Sequence, residues 1–176
     1  GAGRGTQHSI YVTLGTGVGG GLVSNGALVR GASGSAGEIG HMAIDPDGPR
    51  CGCGKHGCLE ACVGAAGIIR RARQAIRRGS RILTALSRRH GGRLSPELVS
   101  RAAHAGDRAA IQIWQEVGYS LGLGLSNLVN LLNPERIVIG GGVAKAWPHF
   151  ATTLKTTMRQ LAFKVPASAC QVVRAQ

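Results

Sequence analysis

One stretch constrains this chain more than any other: "GEIGHMAIDPDGPRCGCGKHGCLEACVG", residues 37–64. It holds two glutamates, two histidines and four cysteines, three of the cysteines between the glutamates, in a run otherwise rich in glycine. A metal knot that holds something else in place accounts for this mixture. His41, Cys51, Cys53 and Cys58 supply one imidazole and three thiolates, the closed tetrahedral set of a structural zinc site. The C-x-C-x4-C spacing lets a short loop wrap the ion, and Gly52, Gly54 and Gly57 permit the tight turns. No position is left for water, so the expected role is structural, not catalytic. Ordinary reduced cysteines near the surface are the alternative. Cys62 is expected to be a packing residue or bystander, Cys170 to be core within a strand, and His56 to sit at an exposed loop tip.

The 176 residues suffice for one domain or a domain and a half with a real core. Hydrophobic content of 43% with only 3% aromatic suits an aliphatic α/β protein built from Val, Leu, Ile and Ala. No stretch approaches the roughly 18 uninterrupted apolar residues of a membrane span. The opening "GAGRGTQHS" lacks the charged and apolar regions of a signal peptide. A soluble, cytoplasmic protein is the expectation, and in that compartment clustered cysteines point to metal and not to disulfides.

The formal charge of +13 invites a nucleic-acid reading. Its distribution argues otherwise. Nine of the 21 basic residues fall between Arg70 and Arg93, and no acidic residue lies between Glu60 and Glu97. Ile68, Ile69, Ala72, Ala75 and Ile76 recur at helical spacing there, which puts the arginines on an opposite, solvated face. No aromatics interleave for base stacking. An anionic-ligand or nucleic-acid surface is the remaining alternative.

Along the chain, "SIYVTLGTG" reads as a strand ending in a glycine turn. "GGGLVSNGALVRG" reads as a hairpin around Asn25-Gly26. Residues 31–64 read as loop with a short strand near Met42 to Ile44, and helical periodicity follows from about Gly64 to Arg78. Ser95 with Pro96 opens a helix closed by Gly106, and Asp107 caps a long helix stopped by Pro134. "RIVIGGG" is a buried strand, Ala144 to Ala162 a helix, and "ACQVVRA" a last strand. Strands alternating with helices and hairpins give a mixed α/β layer protein.

Two strand-to-glycine junctions stand out, "LGTGVGGG" at 14–21 and "IVIGGGVA" at 137–144. Glycine lets a ligand approach the backbone closely, and consecutive N–H groups form an anion-binding concavity. The residues in question are Gly15, Thr16, Gly17 and Gly19 in the first, and Gly140, Gly141 and Gly142 in the second. Thr16 adds a hydroxyl where a phosphate oxygen could sit. Neither junction is a Walker A loop, and neither has the acidic residue of a dinucleotide fingerprint. Singly, each serves equally well as a packing turn. As a pair at strand ends they favour a nucleotide held between them.

"LGTGVGGGLVSNGALVRGASGSAGEIGHM", "CGCGKHGCLEA" and "NLLNPERIVIGGGVA", in that order and spacing, resemble the ROK family of sugar kinases and sugar-responsive repressors. The resemblance runs from Ser9 to about Val173, and its most specific part is E-x-x-H followed by C-x-C-x4-C-x-E. It implies an actin-like, ribonuclease-H-like ATPase fold with an inserted zinc-binding loop, and it assigns zinc to the same four residues. It further implies that Glu38, His41 and Glu60 line a hexose pocket. From the residues alone, Glu38 and Glu60 are exposed loop carboxylates. Metal ligation through one His41 nitrogen would fix the other as a donor.

Within the family the chain looks most like bacterial glucokinases. That likeness implies transfer of a phosphoryl group from ATP, with magnesium, to the 6-hydroxyl of glucose, while the exact hexose and a polyphosphate donor in place of ATP stay open. The family's Asp-x-Gly-Gly-Thr loop and its catalytic aspartate, in a Glu-Asn-Asp segment, are not found in this sequence. The eight acidic residues offer no evident base: Glu97, Asp107, Glu116 and Glu135 belong to elements or their edges, and Asp45 and Asp47 to a turn. Residues 1–176 are therefore expected to be a C-terminal lobe truncated at both ends, inactive alone. The parent is expected to be a homodimer or tetramer. The alternative class is the sugar-sensing domain of a repressor, whose parent would contact nucleic acid. The intact glycine loop favours the kinase.

Overall fold

The computed structural model describes residues 1–175. Alternation of apolar and polar side chains sets up the first strand, β1 (Ser9–Leu14): Ile10, Val12 and Leu14 are buried, while Tyr11 and Thr13 point the other way. β1 pairs antiparallel with β2 (Val18–Ser24), which turns through Asn25 and Gly26 into β3 (Ala27–Leu28). Both turn residues have positive φ, as a two-residue hairpin of this hand requires. On its other side β1 runs parallel to β4 (Arg136–Gly140), and β4 parallel to β5 (Gln171–Arg174). The sheet order is thus β3-β2-β1-β4-β5. The register sets Ile10 beside Ile137, Val12 beside Ile139 and Val172 beside Ile137, so one face carries a continuous aliphatic surface.

Helices cover that face. Between the hairpin and β4 come α1 (Leu59–Val63), α2 (Ala65–Arg77), α3 (Arg81–Arg89), α4 (Pro96–His104) and α5 (Arg108–Leu132). Between β4 and β5 lie α6 (Trp147–Leu161) and α7 (Lys164–Ala169). The 25-residue α5 packs closely along α6 because Gly118 and Gly122 leave its side bare. A Cβ at Gly118 would stand 2.6 Å from the Phe150 carbonyl, and one at Gly122 2.5 Å from Thr157. Trp114, Leu121 and Leu125 of α5 and Phe150 and Leu154 of α6 are fully buried in one core with the strand residues.

The mixed α/β expectation is met, with local corrections. Met42 to Ile44 is not a strand: a 3-10 turn, Ile39–His41, is followed by one isolated bridge between Ala43 and Cys58. The helix expected from Ala144 opens as a 3-10 turn, Val143–Ala146, and becomes α-helical only at Trp147. Cys170 caps α7 just ahead of β5, buried as expected. The arginines of α2 do not all lie on a solvated face. Arg73, Arg77 and Arg78 are exposed, whereas Arg70 donates to the Ala61 carbonyl at 3.3 Å. Arg71 donates to the Cys62 carbonyl and its Nε lies 2.8 Å from Glu116 Oε2. These two guanidiniums satisfy the carbonyl end of α1 and stitch it to α2 and α5. Among the described residues no helix is long and apolar enough to cross a membrane.

Candidate functional site

The loop from β3 to α1 has little regular structure, and its shape rests on a few backbone bonds. Ile44 N–H donates to Gly57 O and Leu59 N–H to Met42 O, while Cys51 N–H donates to Lys55 O. Gly57 has φ +66° and runs so close to Asp45 that a Cβ would overlap the Asp45 carbonyl. These turns bring His41, Cys51, Cys53 and Cys58 together, with their ligand atoms all within 4.8 Å of one another. Cys53 Sγ and Cys58 Sγ are 3.7 Å apart, and Cys51 Sγ and His41 Nδ1 3.8 Å apart. A tetrahedron with metal–sulfur bonds of about 2.3 Å has edges of about 3.8 Å, so the quartet fits a zinc-sized ion.

The chemistry of the donors agrees. The backbone hydrogen bond from Lys55 holds the exposed Cys53 thiol down at about 7. Burial, reinforced by the neighbouring thiols, pushes Cys58 up to about 12. Such a buried thiol ionises readily only beside a cation. Cys62 lies outside the quartet; burial raises its pKa, and it packs in the main core. His56 is exposed, as expected, with Nδ1 3.2 Å from the Gly48 carbonyl.

His41 turns Nδ1 toward the thiols and Nε2 toward Glu38, whose Oε2 is 3.9 Å away. A metal on Nδ1 would leave the proton on Nε2, facing the cleft. Glu38, His41 and Glu60 line one cavity of about 450 Å³ together with Gly15, Gly17, Gly19 and Gly141. Glu60 is half-buried, and its Oε2 accepts from the Val18 amide at 2.9 Å. The structure therefore unites the three loop residues with both glycine junctions.

Gly15 also lines a second cavity of about 510 Å³, whose walls include Gly142, Val143 and Lys145 and, from α4 and its N-cap, Ser95, Glu97 and Arg101. Gly15 and Gly142 have no positive φ, and a Cβ on either would meet nothing within 4 Å. Neither glycine is demanded by the protein's own packing. Gly141 differs: with φ +90° and a would-be Cβ 2.3 Å from the Leu14 carbonyl, it is required by contact between strand ends. Gly140 faces Ala175 and lines neither cavity, and neither does the exposed Thr16. Residues 95–101 and Lys145 had no signal in the sequence beyond helix capping, because their approach to Gly15 depends on long-range packing.

Known proteins resemble this chain in sequence and fold. The glucokinase of Halalkalibacterium halodurans is 46% identical over 147 residues, 83% of this chain and 44% of that protein. The DNA-binding transcriptional dual regulator NagC of Escherichia coli is 32% identical over 176 residues, all of this chain and 42% of that protein. A ROK family glucokinase from Streptomyces griseus, solved in complex with glucose and AMPPNP, superposes with a TM-score of 0.89 at 33% identity, over 100% of this chain and 58% of that one. The chain thus spans less than half the length of these curated relatives. The ROK family's sequence model matches residues 1–176, and the chain belongs to the ROK family.

Proposed function

We propose that this chain is the sugar- and nucleotide-binding part of an ATP-dependent hexose kinase that phosphorylates glucose at its 6-hydroxyl. One observation carries this reading. Gly15 is a wall common to two cavities, one holding Glu38, His41 and Glu60, the other running under Gly142. Hydroxyl-reading groups and a bare backbone cradle thus meet at one glycine. The glucose- and AMPPNP-bound relative supports the same pairing of ligands.

In this reading the carboxylates of Glu38 and Glu60 accept hydrogen bonds from sugar hydroxyls and His41 Nε2–H donates one. A sugar with a misplaced hydroxyl leaves a carboxylate unpaired, which is the basis of discrimination. The amides of the Gly15–Val18 turn face the phosphates, with the Gly142 turn toward the nucleoside. His41, Cys51, Cys53 and Cys58 hold a structural zinc, and magnesium arrives with the nucleotide to offset phosphate charge. The catalytic base is assigned to no residue of this chain.

A coupled assay for glucose 6-phosphate, run on the full-length protein that contains this chain, tests the proposal. Glucose- and ATP-dependent turnover is expected, falling at least about tenfold in Glu38→Gln as a charged hydrogen-bond partner is lost. The similarity to NagC over the whole chain supports a second reading, a sugar-responsive regulator. Glucose binding without phosphoryl transfer, together with DNA binding, would establish that reading and exclude the first.

A further inference from the structure

Glu60 sits where three parts of the site meet. It lies two residues beyond Cys58, in the first turn of α1, so its backbone is anchored to the cysteine quartet. Its Oε1 is 3.7 Å from Cys51 Sγ. Its Oε2 accepts from the amide of Val18, the residue that ends the glycine turn and begins β2. The turn is fastened a second time at its other end, where Gly15 O accepts from the Ala65 amide at the start of α2. Gly17 has no positive φ, yet a Cβ there would stand 2.4 Å from Glu60 Oε2. The glycine is needed to admit the carboxylate.

The geometry points to Glu60 as a positioning residue for the Gly15–Val18 turn, a latch that ties the donor-phosphate side of the cleft to the cysteine knot and to the sugar side. This goes beyond a sugar contact and rests on the reading of that turn as the phosphate cradle. One oxygen of the carboxylate is committed to the backbone, which fixes the distance between the group that reads a hydroxyl and the amides that face a phosphate. Displacing the carboxylate from either side disturbs the other, because coupling between two sites is reciprocal.

Three variants of the full-length protein separate the roles, with two measurements on each: exchange of the Val18 amide proton by NMR, and KM for ATP and for glucose. Glu60→Ala removes the acceptor, and Val18 exchange should quicken at least about tenfold with a comparable rise in the KM for ATP. Glu60→Gln keeps an accepting oxygen while losing the charge. It should hold Val18 exchange and the KM for ATP within about twofold of wild type while raising the KM for glucose. Gly17→Ala leaves Glu60 in place but pushes its carboxylate aside, so Val18 exchange and the KM for glucose should both rise. Unchanged Val18 exchange in Glu60→Ala overturns the proposal, as does equal loss in Glu60→Gln and Glu60→Ala. Should the exchange results come out as expected while wild-type protein transfers no phosphate, the latch stands and the kinase reading fails.

Discussion

At the scale of single residues, Gly141 and Gly142 are neighbours with opposite reasons for being glycine. Gly141→Ala should destabilise the fold by about 3 kcal/mol, from backbone strain at positive φ plus a clash with Leu14. Gly142→Ala should leave the thermal midpoint unchanged and raise the KM for nucleotide about tenfold by blocking close approach. Equal thermal shifts in the two variants would contradict the assignment. The cysteines divide in the same way. Purified protein should contain one equivalent of zinc, which Cys58→Ser abolishes and Cys62→Ser leaves intact, as elemental analysis would show. The quartet was legible in the sequence because spacing within a short loop nearly dictates proximity. The distinct role of Gly141 was not, because it depends on β4 lying beside β1, 127 residues away in the chain.

At the scale of elements, Asp107 shows where sequence reading reaches and where it stops. As expected it caps α5, accepting from the Ala110 amide at 3.0 Å. Its other oxygen accepts from Ser80 Oγ at 2.6 Å and from the Leu83 amide at 3.3 Å, so it also caps α3. That helix went unread because its N-terminal serine offers no cap of its own and its acceptor comes from 24 residues downstream. The six-residue α7, with Pro166 in its first turn, was likewise too short to show a period. Burial works to raise the Asp107 pKa, but the hydrogen bonds from Ser80, Ala110 and Leu83 outweigh it and hold the carboxyl below its ordinary value. A depressed pKa in the folded state means stability that is fully present above pH about 4 and is lost as pH falls further. Asp107→Ala should cost about 2–4 kcal/mol at neutral pH, from two lost caps and an orphaned serine. Denaturant titrations at several pH values should show that gap narrowing below pH about 4; a gap that widens there would be the wrong sign.

At the scale of the whole molecule, the charge of +13 is the dominant unbalanced quantity. Arg71 has an ion-pair partner in Glu116, but none of the exposed arginines of α2 and α3 is paired among the described residues. Their mutual repulsion weakens the compact state and is screened by salt. Raising ionic strength from about 0.02 M to about 0.3 M should stabilise the chain by about 1 kcal/mol, or roughly 3 °C in thermal midpoint for this size. A midpoint that falls with sodium chloride would mean that attractive pairs dominate. The mixed α/β architecture was legible in the alternation of strands with helices, whereas the sheet order emerges only from packing.

The contact between Gly141 and Leu14 has a mechanical consequence. The two glycine turns leave adjacent parallel strands at the same end of the sheet, and the strand ends meet there, at Leu14 and Gly141, with no room for even one added methyl group. Close packing at this joint resists any opening of one turn against the other. Any clamping motion that traps a ligand in this cleft has to carry both turns as a single jaw, and the compliance for the stroke has to come from somewhere other than the joint between β1 and β4.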